Sequence, residues 1–150
     1  MLYPLSYEGV GSIVVRGGTG RVRSMSDITV LVVDDDPVIV RLLQVNFEME
    51  GYTVLTAADG AEAIDQVRAG RPDVVVCDIM MPKLNGLEVV ERLRADEDTA
   101  DVPVILLSAK AQTSEIQRGI DIGAADYVTK PFDPLELIER VQQVLDKRGR

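Results

Sequence analysis

The sequence has no histidine and only one cysteine among its 150 residues. The absence of histidine excludes Ser/His and Cys/His catalytic pairs and zinc bound through imidazole. A single cysteine excludes an internal disulfide and any cysteine-based metal cluster. We interpret Cys77 as a small buried apolar side chain and not as a redox site.

Basic residues and long apolar runs are also scarce. Lys and Arg number 16 against 25 Asp and Glu, which gives a net charge of -9. A nucleic-acid interface needs a basic patch, so direct binding of nucleic acid is not expected. The longest apolar runs are the length of a strand, so no membrane span is expected either. With 46% hydrophobic and 27% charged residues, the chain has the composition of one ordinary globular domain.

The first 24 residues differ in composition from the remainder. Their formal charge is +2 against -11 for residues 25–150, and they contain five of the twelve glycines. A secretory signal would need a positive start and a longer hydrophobic stretch, so that interpretation is rejected. We predict a flexible N-terminal extension over residues 1–26 and one folded domain over residues 27–148.

From Asp27 onward, apolar runs of strand length alternate with segments of helical period. The five runs are "ITVLVV" (28–33), "YTVLT" (52–56), "DVVVC" (73–77), "VPVILLS" (102–108) and "DYVT" (126–129). Helix starts are indicated by Asp36-Pro37 and Asp133-Pro134, and helix ends by Gly51 and Gly70. Five strand–helix repeats predict an α/β fold, a doubly wound parallel five-stranded sheet with helices on both faces, (βα)5.

Polar side chains follow the predicted strands. Asp34 and Asp35 follow the first strand, Asp78 the third, Ser108 the fourth and Lys130 the fifth. In a doubly wound sheet, ligands bind beyond the carboxyl ends of the strands, so these groups should converge there. Adjacent carboxylates about 4 Å apart repel by roughly 4 kcal/mol at an effective dielectric of about 20. Oxygen ligands without nitrogen or sulfur select Mg²⁺ or a similar cation such as Mn²⁺, which would offset that repulsion.

Four motifs make the sequence similar to a known family. They are "VVDDDP" (32–37), "DVVVCDIMMPKLNG" (73–86), "VILLSAK" (104–110) and "GAADYVTKPF" (123–132). In this order and spacing they resemble the receiver domain of bacterial two-component response regulators, over about residues 27–147. The resemblance implies a flavodoxin-like fold with strand order 2-1-3-4-5, as in the chemotaxis regulators, and a cytoplasmic location.

The resemblance also implies the roles of the acidic residues. Asp78 matches the phosphoacceptor of the family. Asp34 and Asp35 match the acidic pair that holds Mg²⁺ together with Asp78, and the backbone carbonyl of Met80 is a further oxygen ligand. Asp36, which precedes a proline, is interpreted instead as a helix cap.

Three further residues match the switch positions of the family. Ser108 and Lys130 match the hydroxyl and the ammonium that contact the phosphoryl group. Tyr127 matches the aromatic residue whose rotamer reports the phosphorylation state. The resemblance also implies that the Lys130–Pro131 peptide bond is cis.

Partners follow from the same resemblance. The phosphodonor of the family is a phosphohistidine, and this chain has no histidine. The donor must therefore be a histidine kinase or a histidine phosphotransfer protein. A downstream protein is expected on the face of the fourth helix, fifth strand and fifth helix, where a phosphorylation-dependent homodimer would also form. The chain ends at "VLDKRGR" just after the last predicted helix, so it either acts alone or is the receiver fragment of something longer.

Two alternatives from other classes stay open. A Mg²⁺-dependent phosphatase with an aspartate nucleophile carries Asp-x-Asp, but Met80 stands two positions after Asp78. A pseudo-receiver that binds partners without phosphorylation usually lacks one of the acids or the lysine, and this chain has them all. The favoured hypothesis is a signalling phosphoacceptor that assists its own phosphorylation and dephosphorylation, and not an enzyme acting on small substrates.

Overall fold

The computed structural model describes residues 13–15, 22–24, 27–109 and 113–148. Most of the predicted extension over 1–26 lies outside these ranges. Within it, Ile13–Val15 and Val22–Ser24 form an antiparallel strand pair. In the described ranges, no helix is both long and apolar enough to cross a membrane.

Among the described residues from 27 onward, five strands alternate with five helices. They are β1 (Thr29–Val33), α1 (Pro37–Met49), β2 (Thr53–Ala57), α2 (Gly60–Gly70), β3 (Val74–Asp78), α3 (Gly86–Ala95), β4 (Val104–Ser108), α4 (Thr113–Asp121), β5 (Asp126–Thr129) and α5 (Pro134–Arg148). All neighbouring strands are parallel, in the order β2-β1-β3-β4-β5. The predicted fold and strand order are confirmed.

The sheet is buried on both faces because helices cover both. Alternate residues of β1 enter two separate hydrophobic clusters: Val30 and Val32 join one, and Leu31 and Val33 the other. Every residue of β3 and β4 is buried. Cys77 lies in this interior, where burial raises the pKa of its thiol. A protonated, enclosed thiol is consistent with the apolar role predicted from sequence.

The helices divide between the two faces. Phe47 of α1 and Leu137 of α5 are fully buried in the cluster that contains Val30, whereas Leu93 of α3 is buried in the cluster that contains Leu31. Helix α4 lies on this second face, against β4 and β5. A Cβ atom added to Gly119 would lie 3.1 Å from Leu106 Cδ1 in β4. A Cβ there would also lie 3.7 Å from Tyr127 Cδ2 in β5, so α4 packs closely on both strands.

Side-chain caps begin α1 and α5, at Asp36 and Asp133, as the sequence predicts, but α2 ends differently from the prediction. Asp36 Oδ1 accepts the N–H of Val38 at 2.9 Å, with Pro37 at the first helical position. At the end of α2, Arg71 and not Gly70 adopts the left-handed conformation, with φ of 45°. Gly70 is instead the last helical residue. A Cβ there would lie 2.4 Å from Leu55 Cδ1, so close packing explains this glycine.

Candidate functional site

Three carboxylates converge at the carboxyl edge of the sheet. Asp34 follows β1 and Asp78 ends β3, and the pairing of Val33 with Cys77 brings the two acids side by side. Asp34 is 2% exposed and Asp78 4% exposed, whereas Asp35 is open to solvent. One oxygen from each of the three lies within 4.8 Å of the others. We call Asp34, Asp35 and Asp78 the acidic pocket.

Lys130 joins the two buried acids of the pocket. Its Nζ atom lies 3.0 Å from Asp34 Oδ2 and 3.2 Å from Asp78 Oδ1. The residue follows β5, two strands away from β3, and the long flexible side chain covers that distance. Its backbone N–H donates to the carbonyl of Ser108 at 2.8 Å, and the Lys130–Pro131 peptide bond is cis.

The three consecutive aspartates occupy different environments. Asp34 accepts the backbone N–H of Asp36 through Oδ1 at 2.9 Å and the ammonium of Lys130 through Oδ2. Asp36 points to the start of α1 and caps it. Asp35, between them, faces solvent. The repulsion expected from the sequence is reduced because Asp34 binds an ammonium and a backbone amide, Asp36 binds another backbone amide, and Asp35 is exposed to solvent.

The charges of the pocket shift the pKa values of its members. Burial raises the pKa of Asp78, the charge of Asp34 raises it further, and Lys130 opposes both. Burial alone would lower the pKa of Lys130, but its hydrogen bonds and ion pairs with Asp34 and Asp78 outweigh burial and raise it. Three carboxylates against one ammonium leave excess negative charge. A donor set of carboxylate oxygens, free of nitrogen and sulfur, fits Mg²⁺ or a similar hard cation.

The loop after Asp78 folds tightly over the end of β3. The carbonyl of Ile79 accepts the N–H of Gly86 at 2.9 Å. A Cβ on Gly86 would lie 2.6 Å from the carbonyl oxygen of Asp78, so only glycine permits this approach. Met80 lies in the loop directly beyond Ile79 with its side chain 55% exposed.

Ser108 and Tyr127 meet at a residue that the sequence did not single out. Ser108 ends β4, is fully buried, and its hydroxyl donates to Glu115 Oε1 at 3.1 Å. The hydroxyl of Tyr127 donates to the same oxygen. Burial, with the hydrogen bond to Glu115, raises the pKa of Tyr127 to about 12. From sequence, Glu115 is only an acidic residue in the first turn of α4, which is common at helix starts.

The fold and the pocket together define a doubly wound domain with an acidic site at the carboxyl edge of its sheet. The model of the response regulator receiver domain family matches residues 30–142. The chain belongs to this family, and the resemblance inferred from the four motifs is confirmed.

Similar proteins include both long regulators and isolated receivers. The chain is 44% identical over 121 residues to the DNA-binding dual master transcriptional regulator RpaA of Synechocystis sp., covering 81% of this chain and 50% of RpaA. It is 45% identical over 116 residues to the alkaline phosphatase synthesis transcriptional regulatory protein PhoP of Bacillus subtilis, covering 77% and 48%. The chain therefore spans about half the length of these curated relatives.

Among solved structures, the receiver domain of the Francisella response regulator 1452 has a TM-score of 0.76 and 39% identity, covering 82% of this chain and 99% of that one. Chemotaxis protein CheY4 of Vibrio cholerae has a TM-score of 0.74 and 33% identity, covering 78% and 98%.

Proposed function

We propose that this chain is the phosphoacceptor of a two-component system or phosphorelay, with Asp78 as the residue that receives the phosphoryl group. The observation that carries the proposal is the ammonium of Lys130 bound to both Asp34 and Asp78 inside the acidic pocket. A buried carboxylate held beside an ammonium and two further acids is seldom needed to stabilise a fold. The same arrangement suits a residue that receives a phosphoryl group. The proposed domain extends over residues 27–148.

The proposed reaction needs a phosphohistidine from a partner protein. An oxygen of Asp78 forms a bond to phosphorus while the bond from phosphorus to the imidazole nitrogen of the donor breaks. The electron pair of that bond stays on the imidazole, and the product is an acyl phosphate on Asp78. Charge spreads over the phosphoryl oxygens during such transfers, so positioning and charge neutralisation supply most of the catalysis.

Asp34, Asp35, Asp78 and the backbone carbonyl of Met80 would hold a Mg²⁺ or Mn²⁺ ion. When bound, the ion supplies positive charge that offsets the repulsion between the pocket and the phosphoryl oxygens. Lys130 Nζ lies 3.2 Å from Asp78 Oδ1, so its ammonium is within reach of a phosphoryl group attached to Asp78. Ser108 ends the strand that pairs with β3, which supports its role as a hydroxyl donor to the same group.

The proposed output is a change in protein contacts on the face made by α4, β5 and α5. Phosphorylation adds charge and acceptor oxygens at one place and biases an equilibrium between two arrangements. We propose that this face binds a downstream protein or a second phosphorylated copy, in the cytoplasm where its histidine kinase or phosphotransfer donor would act. The DNA binding in the name of RpaA belongs to a longer protein, of which this chain covers 50%. The net charge of -9 over the 150 residues supports protein partners and not nucleic acid.

The test uses acetyl phosphate as a small donor and intact mass as the readout, with and without Mg²⁺. The wild type should gain one phosphoryl group in a Mg²⁺-dependent manner, and Asp78→Asn should gain none. A folded wild type that binds Mg²⁺ yet gains no mass would favour the pseudo-receiver. Repeated turnover of small phosphate esters would instead favour the phosphatase.

A further inference from the structure

We propose that Glu115 is a positioning residue that holds Ser108 and Tyr127 in the arrangement of the unphosphorylated protein. One oxygen of Glu115 accepts a hydrogen bond from each of these two hydroxyls. We call this pair of hydrogen bonds the Glu115 bridge. The inference rests on the proposed function, because it assigns Glu115 a role in the phosphorylation of Asp78.

The Glu115 bridge includes the Ser108 hydroxyl, which has one proton to donate. That hydroxyl contacts Glu115 and also shares a hydrogen bond with Tyr127. Ser108 is fully buried, so bulk water cannot readily replace the acceptor. To donate to a phosphoryl oxygen on Asp78, Ser108 must therefore break its bond to Glu115.

The same oxygen links this change to Tyr127 and to α4. The phenol of Tyr127 also has one proton, and it too is directed to Glu115. Glu115 belongs to the first turn of α4, whereas Ser108 and Tyr127 belong to β4 and β5. Loss of the Ser108 bond therefore alters the contact between α4 and two strands. The exposed ion pair between Arg118 of α4 and Glu91 of α3, with an N–O distance of 4.0 Å, contributes less to holding α4 in place.

The bridge predicts that removal of Glu115 makes phosphorylation easier. Loss of one hydrogen bond to a charged acceptor is expected to change the rate about tenfold, which corresponds to about 1.4 kcal/mol. Glu115→Ala removes the acceptor that the two hydroxyls share, so the initial rate of phosphorylation by acetyl phosphate with Mg²⁺ should rise about tenfold. Glu115→Gln keeps an uncharged acceptor, so its phosphorylation rate should lie between those of Glu115→Ala and the wild type.

Two comparisons separate positioning from a general loosening of α4. In a Ser108→Ala background, Glu115→Ala should leave the rate unchanged, because there is no serine to release. Asp65→Asn removes the same charge from an exposed position on α2 and should behave as the wild type. A rate increase that persists without Ser108, or that Asp65→Asn reproduces, would overturn the proposal.

A spectroscopic readout tests the same idea without any transfer reaction. Amide NMR signals of β4, β5 and α4 in unliganded Glu115→Ala should move toward the positions that the wild type shows with Mg²⁺ and beryllofluoride, a phosphoryl analogue. Signals that stay at the unliganded wild-type positions would overturn the proposal, and Glu115→Gln serves if the alanine variant does not fold. A wild type that cannot be phosphorylated refutes the proposed function and this inference with it. A phosphorylated wild type with an identical Glu115→Ala rate refutes the inference alone.

Discussion

At the scale of single residues, the run Asp34-Asp35-Asp36 shows how neighbouring identical side chains acquire different chemistry. Asp34 is buried directly after β1, and Asp35 is exposed in the turn that follows. Asp36 caps the first turn of α1. Only Asp34 receives a cation from a distant part of the chain. The sequence predicts the cap from the following Pro37, but the ion pair depends on a strand almost a hundred residues away.

The raised pKa of Asp78 leads to a stability prediction. Since the folded pKa lies above the ordinary 3.8, the folded protein binds more protons than the unfolded chain between those two values. Stability without a divalent cation should therefore fall as pH rises through that window, and the loss should be complete above it. Asp78→Asn should raise the free energy of unfolding at pH 7, measured by urea unfolding in a chelator.

The charge-matched control for that experiment is Asp65→Asn on α2. It should leave both the unfolding free energy and its pH dependence near the wild-type values, because Asp65 is exposed. An Asp78→Asn protein that is less stable than the wild type at pH 7, or that keeps the same pH dependence, would contradict the account.

Removal of the Lys130 ammonium should lower the free energy of unfolding, which is opposite to the effect expected for Asp78→Asn. Lys130→Met leaves Asp34 and Asp78 close together and largely buried without their shared ammonium. We expect a loss of about 2 kcal/mol of unfolding free energy at pH 7, somewhat below the cost of breaking a fully buried pair because Lys130 is partly exposed. Added Mg²⁺ should recover part of the loss. Equal stability of variant and wild type in chelator would show that the ion pair does not stabilise the fold.

At the scale of elements, boundary residues are where sequence reasoning succeeds or fails. Asn85 and Glu88 have capping-box spacing, and both reciprocal hydrogen bonds form, at 2.9 Å and 3.0 Å. The end of α2 is less predictable, because Gly70 is required for packing against Leu55 while Arg71 takes the strained conformation. A glycine near a helix end can thus serve two different purposes that the sequence does not distinguish.

The cap of α3 gives a test at this scale. Asn85→Ala removes the acceptor for the Glu88 N–H and should cost about 1 kcal/mol of unfolding free energy. Asn85→Asp keeps the acceptor and should cost much less. Both can be measured by urea unfolding. Equal destabilisation by the two substitutions would show that the cap is not what Asn85 supplies.

The Glu115 bridge lies beyond what the sequence predicts, for a physical reason. Periodicity predicts one apolar face of α4 through Ile116 and Ile120, but Ile120 is 51% exposed in the structure. The pattern therefore does not show how the helix is rotated against β4 and β5. Glu115 reaches Ser108 and Tyr127 only because close packing at Gly119 fixes that rotation. Tertiary placement of this kind leaves no local pattern.

At the scale of the whole molecule, strand order converts a scattered set of residues into one site. Since β1 and β3 are central neighbours, Asp34 and Asp78 must meet at the carboxyl edge, and Lys130 approaches from β5. The convergence is predictable from sequence because parallel strands end at the same edge of the sheet. The ion-pair geometry is not, because the side-chain rotamers depend on the packed interior.

The most direct test of the central claim is to locate the phosphoryl group itself. After incubation with acetyl phosphate and Mg²⁺, borohydride reduces an acyl phosphate to an alcohol, which converts the modified aspartate to homoserine. Peptide mass spectrometry should then find homoserine at position 78 in the wild type and nowhere in Asp78→Asn. Homoserine at Asp34 or Asp35, or its absence from a folded, Mg²⁺-loaded wild type, would contradict the assignment of Asp78 as the phosphoacceptor.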